Sequence, residues 1–329
     1  LQVLLKGREG PLPEWSGAGG RVEDSLSPGP LRGELLNVER LEEHARQLAG
    51  ELASTSRRGG RGYRDRLEEN ATILRSAYRA FADDVHLGEA LPPAAEWLLD
   101  NFHLVETEVV SVCRDLPLSY HRELPKVVDP RMKGASRVQV MALELIRHSD
   151  ARLDPQRLER FMTAFQTVAP LSLGELWAWP SALKAALVEN LRRLAEELME
   201  QREGQQQARR FLRPLGERDG AGGALPELPS ELGTPFVVEL LARMREFGPR
   251  ASPLRARLDE RLQARGQTPE ELIRAEQQTQ AAAQVSIANT ITSLRSCATY
   301  EWNRYVEKVS LVEQILQRDP MGLYGRQDF

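Results

Sequence analysis

The chain has 329 residues, 41% of them hydrophobic, with 44 basic and 48 acidic side chains and a formal charge of −4. That length suffices for one large domain or two smaller ones, and interspersed, nearly balanced charge leaves no basic face for nucleic acid. Cys113 and Cys297 are far apart and outside any CxxC pattern, which argues against a disulfide framework or thiolate zinc site and for a reducing compartment, and no apolar run approaches the ~20 residues that span a bilayer.

The chain opens LQVLLKGREG, without an initiator Met or the residue order of a signal peptide, and reads as a piece of a longer polypeptide. Residues 1–34, rich in Gly and Pro, are expected to form a flexible lead-in. From Leu35 apolar residues recur at three-and-four spacing to Leu52, the pattern of a helix with one buried side. A second helix is expected over 64–84. Pro92 and Pro93 open a third, since a first turn tolerates proline, and its seam of Leu98, Phe102, Val105, Val109 and Val112 runs on to Pro117.

After the irregular stretch SYHRELPKVVDPRMKGAS, helical patterns follow at 136–149, 155–168 and 173–203. Asp154 before Pro155 has the form of an N-cap with a first-turn proline, and Ser172 with Glu175 that of a capping box. Pro180 is expected to kink or break the last of these helices. Residues 203–234 turn to Gln, Gly, Pro and charge and read as a linker. Beyond it come helices at 235–247 and 253–265, a long one from the Thr268/Glu271 capping box to Arg295, and a final one at 299–318. The fold expected is all-α: a multi-helix bundle in two helical parts, 35–202 and 235–329, joined by a flexible linker.

Several constellations invite a chemical reading. Glu96, Asp100 and His103 are spaced four and three apart, so on one continuous helix they share a side. The reading preferred is a structural polar cluster that pairs with another helix, with Arg122 a candidate partner of Asp100, because buried polar groups are normally satisfied. No metal site is expected, since none of the five histidines stands in an HxH or HExxH pattern. Tyr120 and Arg122 fall in a segment between helices, where functional groups concentrate, and Trp177 and Trp179 offer flat faces that suit sugar rings. These four are the candidate carbohydrate-binding residues, set against the commoner roles of such groups: an ordered turn that clamps helices through Arg122, and a packing knot of the two tryptophans beside Pro180. The amide- and hydroxyl-rich stretch 275–295, with Gln278, Gln284 and Asn289, is expected to pack tightly and bond across helices. Phosphate-binding loops, a DxD pair and a QxxRW motif are all missing from the sequence.

Six segments carry a family likeness: NATILRSAYRAF, PPAAEWLLDNFHLVETEV, DLPLSYHRELPKV, the long run VMALELIRHSDARLDPQRLERFMTAFQTVAPLSLGELWAWPSALKAALVENLRRLAEEL, ELIRAEQQTQAAAQVSIANTITSLRS, and WNRYVEKVSLVEQILQRDPMGLYGRQDF. Together, over residues 35–329 apart from the linker, they resemble the N-terminal region of the bacterial cyclic β-1,2-glucan synthases. The resemblance implies a large inner-membrane parent enzyme that polymerises glucose from UDP-glucose, with a divalent metal, into cyclic β-1,2-glucan. It places this region before the transferase core, at the cytoplasmic face of the inner membrane. The matched segments contain no catalytic motif, so no catalytic residue carries over and no cofactor is expected in this chain. The expectation is a docking or scaffolding module whose partner is the transferase core of the same polypeptide. The alternatives are a module that binds β-1,2-glucan or carries it on a tyrosine such as Tyr120 or Tyr324, and an independent non-enzymatic interaction protein. An independent enzyme ranks last.

Overall fold

A computed structural model describes residues 29–53, 55–56, 62–128, 134–216 and 227–318. Tyr324, the lead-in up to residue 28 and the stretch 217–226 of the expected linker lie outside these. The fold is all-α. Its helices are α1 (Val38–Glu51), α2 (Gly62–His86), α3 (Pro93–Asp100), α4 (Phe102–Asp115), α5 (Leu118–Glu123), α6 (Arg137–Ser149), α7 (Pro155–Gln166), α8 (Leu173–Gly216), α9 (Thr234–Met244), α10 (Ser252–Ala264), α11 (Pro269–Thr299), α12 (Trp302–Val309) and α13 (Leu311–Leu316), with a 3-10 segment over Arg245–Ala251. The stretch read as irregular contains α5 and a strand, β2 (Lys126–Val127), which pairs antiparallel with β1 (Thr55–Ser56).

The start signals act as their chemistry requires. Asp154 accepts the Arg157 amide at 2.9 Å behind a first-turn Pro155, and Ser172 and Glu175 satisfy each other's backbone amides, as Thr268 and Glu271 do. Four expected boundaries are corrected, one being the last helix, expected over 299–318, which divides at Ser310 into α12 and α13. The helix expected from Pro92 to Pro117 breaks at Asn101, whose φ of −111° and ψ of 10° separate α3 from α4. Asn101 makes the break useful: its amide donates to the Trp97 carbonyl at 2.9 Å and its Oδ1 accepts from Arg295 of α11 at 2.6 Å. Pro180 neither ends nor breaks α8, because the helix beyond it is held by a nearly continuous buried run through Ala195.

The fourth correction concerns residues 203–216, which continue α8 instead of starting a linker. Gln, Arg and Ala are good helix formers, and the segment's glycine serves packing. A Cβ at Gly204 would lie 2.9 Å from the Pro235 Cβ and 3.1 Å from the Phe236 amide nitrogen, so its absence lets α9 approach α8 closely.

Two hydrophobic cores result. The larger gathers α1 to α7, α8 up to Leu198, α11 from Ala283 onward, and α12. The smaller joins Ala208 and Leu212 of α8 to Phe236, Leu240, Leu258 and Leu272 of α9, α10 and the start of α11. The division between cores therefore falls inside α8 and α11.

Polar pins set the register of the larger core. Buried Glu189 accepts two hydrogen bonds from Arg66 (2.8 and 3.0 Å), and others from Asn70 (2.8 Å), Arg192 (3.0 Å) and Arg193 (2.8 Å). Burial alone would raise its carboxyl, but the Arg66 hydrogen bond and the charges of Arg193, Arg66 and Arg192 outweigh that and hold it far below the usual carboxylate range. Of the three amides expected to bond across helices Asn289 does so, while Gln278 and Gln284 are exposed. Asn289 donates to the Asp150 carbonyl at 3.1 Å, and Ser293 donates to the Ala151 carbonyl at 2.6 Å. Asp150 and Ala151, with φ of 49° and 56°, form the left-handed turn that these side chains fasten.

Candidate functional site

A groove of about 510 Å³ opens between the start of α7, the end of α11 and α12. Its wall is aromatic because α12 folds back on α11. Tyr300 meets Trp302 edge-on at 4.8 Å, and Trp302 meets Tyr305 at 5.5 Å. The Trp302 Nε1–H donates to the Cys297 carbonyl at 2.9 Å, and the buried Tyr305 hydroxyl donates to the Leu158 carbonyl at 3.1 Å. Asp154 stands at the rim, and Glu159 there pairs with Lys308 at 2.6 Å. Half-buried rings beside carboxylates suit a ligand with C–H faces and hydroxyls. Cys297, also in the lining, is no thiolate nucleophile, since burial pushes its thiol up to about 12.

The residues proposed from sequence are scattered around the molecule. Residues two apart on a helix point to nearly opposite sides, so Trp177 is 44% exposed while Trp179 is sealed at 0%. Trp179 stacks on Phe161 at 6.3 Å and faces Tyr305, the inner wall of the groove. It is a core residue, the packing role weighed above, which removes it from the candidate sugar-facing rings. Tyr120 is half-buried and donates to the Gly174 carbonyl at 2.7 Å, tying α5 to the first turn of α8. Burial raises its phenol, and Arg122 is exposed at the end of the same short helix.

Glu96, Asp100 and His103 are likewise all exposed, so they do not form a buried helix-pairing cluster. The break at Asn101 rotates His103 onto a new helix, and the polar residue that pins helices together is their neighbour Asn101. No ion pair joins Asp100 to Arg122 among the described residues.

Sequence reading missed a tighter cluster. His44 of α1 and Glu144 and His148 of α6 place one donor atom each within 4.8 Å of the others. His44 Nε2 lies 3.1 Å and His148 Nε2 3.4 Å from Glu144 Oε2, while Arg147 Nη1 stands 3.8 Å from Oε1. The His148 Nδ1–H donates to the Glu34 carbonyl at 2.8 Å. The available signal was Glu-x-x-x-His, one helical turn on α6, but its third member is 100 residues distant in sequence. A second buried group is Lys126, which donates to the His121 carbonyl in a pocket where Tyr63 stacks on His121 at 4.7 Å. Burial lowers its ammonium to about 8.

Comparison with known proteins sets these sites in context. No protein-family model matches the chain. It is 33% identical over 261 residues to the cyclic beta-(1,2)-glucan synthase NdvB of Rhizobium meliloti (strain 1021), an alignment covering 78% of this chain and 9% of that relative. No helix among the described residues is long and apolar enough to cross a membrane. With this identity over most of its length, the chain belongs to the cyclic β-(1,2)-glucan synthase family and is related to its N-terminal region.

Proposed function

We propose that this region is a helical docking module of a cyclic β-1,2-glucan synthase, seated on the transferase core of the same polypeptide at the cytoplasmic face of the inner membrane. In this reading the parent enzyme uses UDP-glucose and a divalent metal elsewhere in its sequence, and the present region organises that machinery without reacting itself. The observation that carries it is α13. Leu311, Val312, Ile315 and Leu316 are all exposed, Ile315 by 67%, and no residue of this helix is buried. A six-residue helix with four exposed large apolar side chains is poorly stable alone in water and fits a surface that a partner covers. Family membership supports the choice of occupant, since the matched stretch is 9% of the relative's length.

The test is co-purification of this chain with the remainder of the synthase. Wild type is expected to associate and V312D/I315D to lose association while keeping its helical circular dichroism. Equal association of the two proteins would remove the reading.

A second reading rests on the groove: its Tyr300 and Trp302 rings and Glu159 carboxylate suit β-1,2-glucan. Titration with the glucan is expected to change tryptophan fluorescence in wild type and not in W302A. A response that survives W302A would place any glucan elsewhere, with exposed Trp177 the next ring to test.

A further inference from the structure

We propose that His44, Glu144 and His148 form a zinc site that fastens α1 to α6. The proposal stands on donor geometry and is independent of the docking reading. Zinc–ligand bonds of about 2.0–2.2 Å in a tetrahedron set neighbouring donors about 3.3–3.6 Å apart. The two edges meeting at Glu144 Oε2 are 3.1 and 3.4 Å, and all three donors lie within 4.8 Å of one another. Two imidazoles and a carboxylate are the donor types of a borderline divalent ion, and they leave a fourth position for water.

The surroundings are arranged as an outer shell would be. Because a carbonyl only accepts, the Glu34 carbonyl takes the Nδ1 proton of His148. In its neutral form that ring would have its lone pair on Nε2, the atom that faces Glu144 and that a metal ion would take. Arg147 Nη1 stands 3.8 Å from Oε1, while both histidines face Oε2. Glu144 is fully buried, while the His44 and His148 side chains keep 11% and 12% exposure, which gives the ion an approach from solvent. The backbone at Gly33 lies directly over this cluster. A Cβ there would fall 2.9 Å from the Arg147 Cγ and 3.1 Å from the His148 Cε1, so the 29–37 segment closes over α6 only with glycine at this place. Two helices and an overlying strap thus meet at one ion, as in a structural staple.

The test uses the full chain stripped with a chelator and titrated with Zn²⁺ against a chromophoric competitor, with thermal unfolding followed in parallel. One saturable equivalent and a raised Tm are expected. H44A, on the rim, and E144Q should each lose at least tenfold in affinity and the Tm rise, whereas H86A and H103A, at exposed histidines, should match wild type. Should E144Q fail to fold, Co²⁺ loaded into wild type reports separately, through the strong visible bands of a four-coordinate site that H148A abolishes. Absence of a saturable equivalent, or unchanged affinity in H44A and H148A, would overturn the assignment.

Discussion

The two cores share two helices, yet they are built on different principles. The larger is pinned by buried charge: Glu189 among Arg66, Arg192 and Arg193, Arg137 on Glu175 at 2.8 Å, and Lys184 on Glu108 at 2.7 Å. The smaller is aliphatic and aromatic, with Phe211 edge-on to Phe236 at 5.7 Å, and its carboxylate Glu239 sits toward the outside between Arg209 and Arg243. The difference teaches that the first core fixes which helices meet and in which register, and the second relies on burial of leucines. Removing one member of a buried ion network leaves the others unpaired, whereas emptying an apolar site leaves a cavity whose cost stays local.

That contrast can be broken most sharply at Glu189. Glu189→Ala is expected to lower stability by about 3–5 kcal/mol in thermal unfolding, with the loss centred on the larger core. A loss below about 1 kcal/mol would show the network to be ornamental. Acid probes the same group. Its folded-state carboxyl is held below the usual value, so its stabilisation is complete above the ordinary carboxylate range. It is lost as pH falls from there toward the folded-state value. Glu189→Gln should flatten that part of the stability profile between about pH 5 and pH 2, and an unchanged slope would assign the acid sensitivity to other groups.

In the smaller core, Leu258→Ala should cost about 2–5 kcal/mol. Hydrogen exchange is expected to quicken in α9 and α10 while α2 and α6 stay protected. Equal quickening everywhere would mean that the two cores unfold as one. At the α3–α4 break, Asn101→Ala removes the acceptor of the exposed Arg295 and should cost about 0.5–1.5 kcal/mol. Its exposed neighbour gives the smallest effect: Asp100→Ala should stay within about 0.5 kcal/mol of wild type. A larger loss at Asp100 would restore the paired role that its helical spacing suggested.

Much of this fold could be read from residue spacing. The apolar seams of α1, α2, α6 and α7 and the capping residues Asp154, Ser172 and Thr268 are local signals, and local signals survive folding. What escaped was decided by contacts between distant segments. Asn101 breaks a helix whose apolar seam runs straight through it, because Arg295, 194 positions away, supplies a partner for its carbonyl oxygen. Residues 203–216 resemble a linker in composition but are helical beside α9. The candidate sites were less legible for the same reason. His44 and Glu144 meet only after α1 docks on α6, and Trp302 enters the groove wall only because α12 doubles back. The tryptophan pair splits between the two roles its sequence offered, because the second ring, two positions on, turns into the core while the first stays exposed.

Hydrogen exchange of α13 in the full-length synthase, set beside the same helix in this chain alone, tests the docking account most directly. The amides of 311–316 should exchange rapidly in the isolated chain and become strongly protected in the complete enzyme, with V312D/I315D abolishing the difference. Equal, rapid exchange in both settings would contradict it, because the exposed face of Val312 and Ile315 would then have no partner to meet.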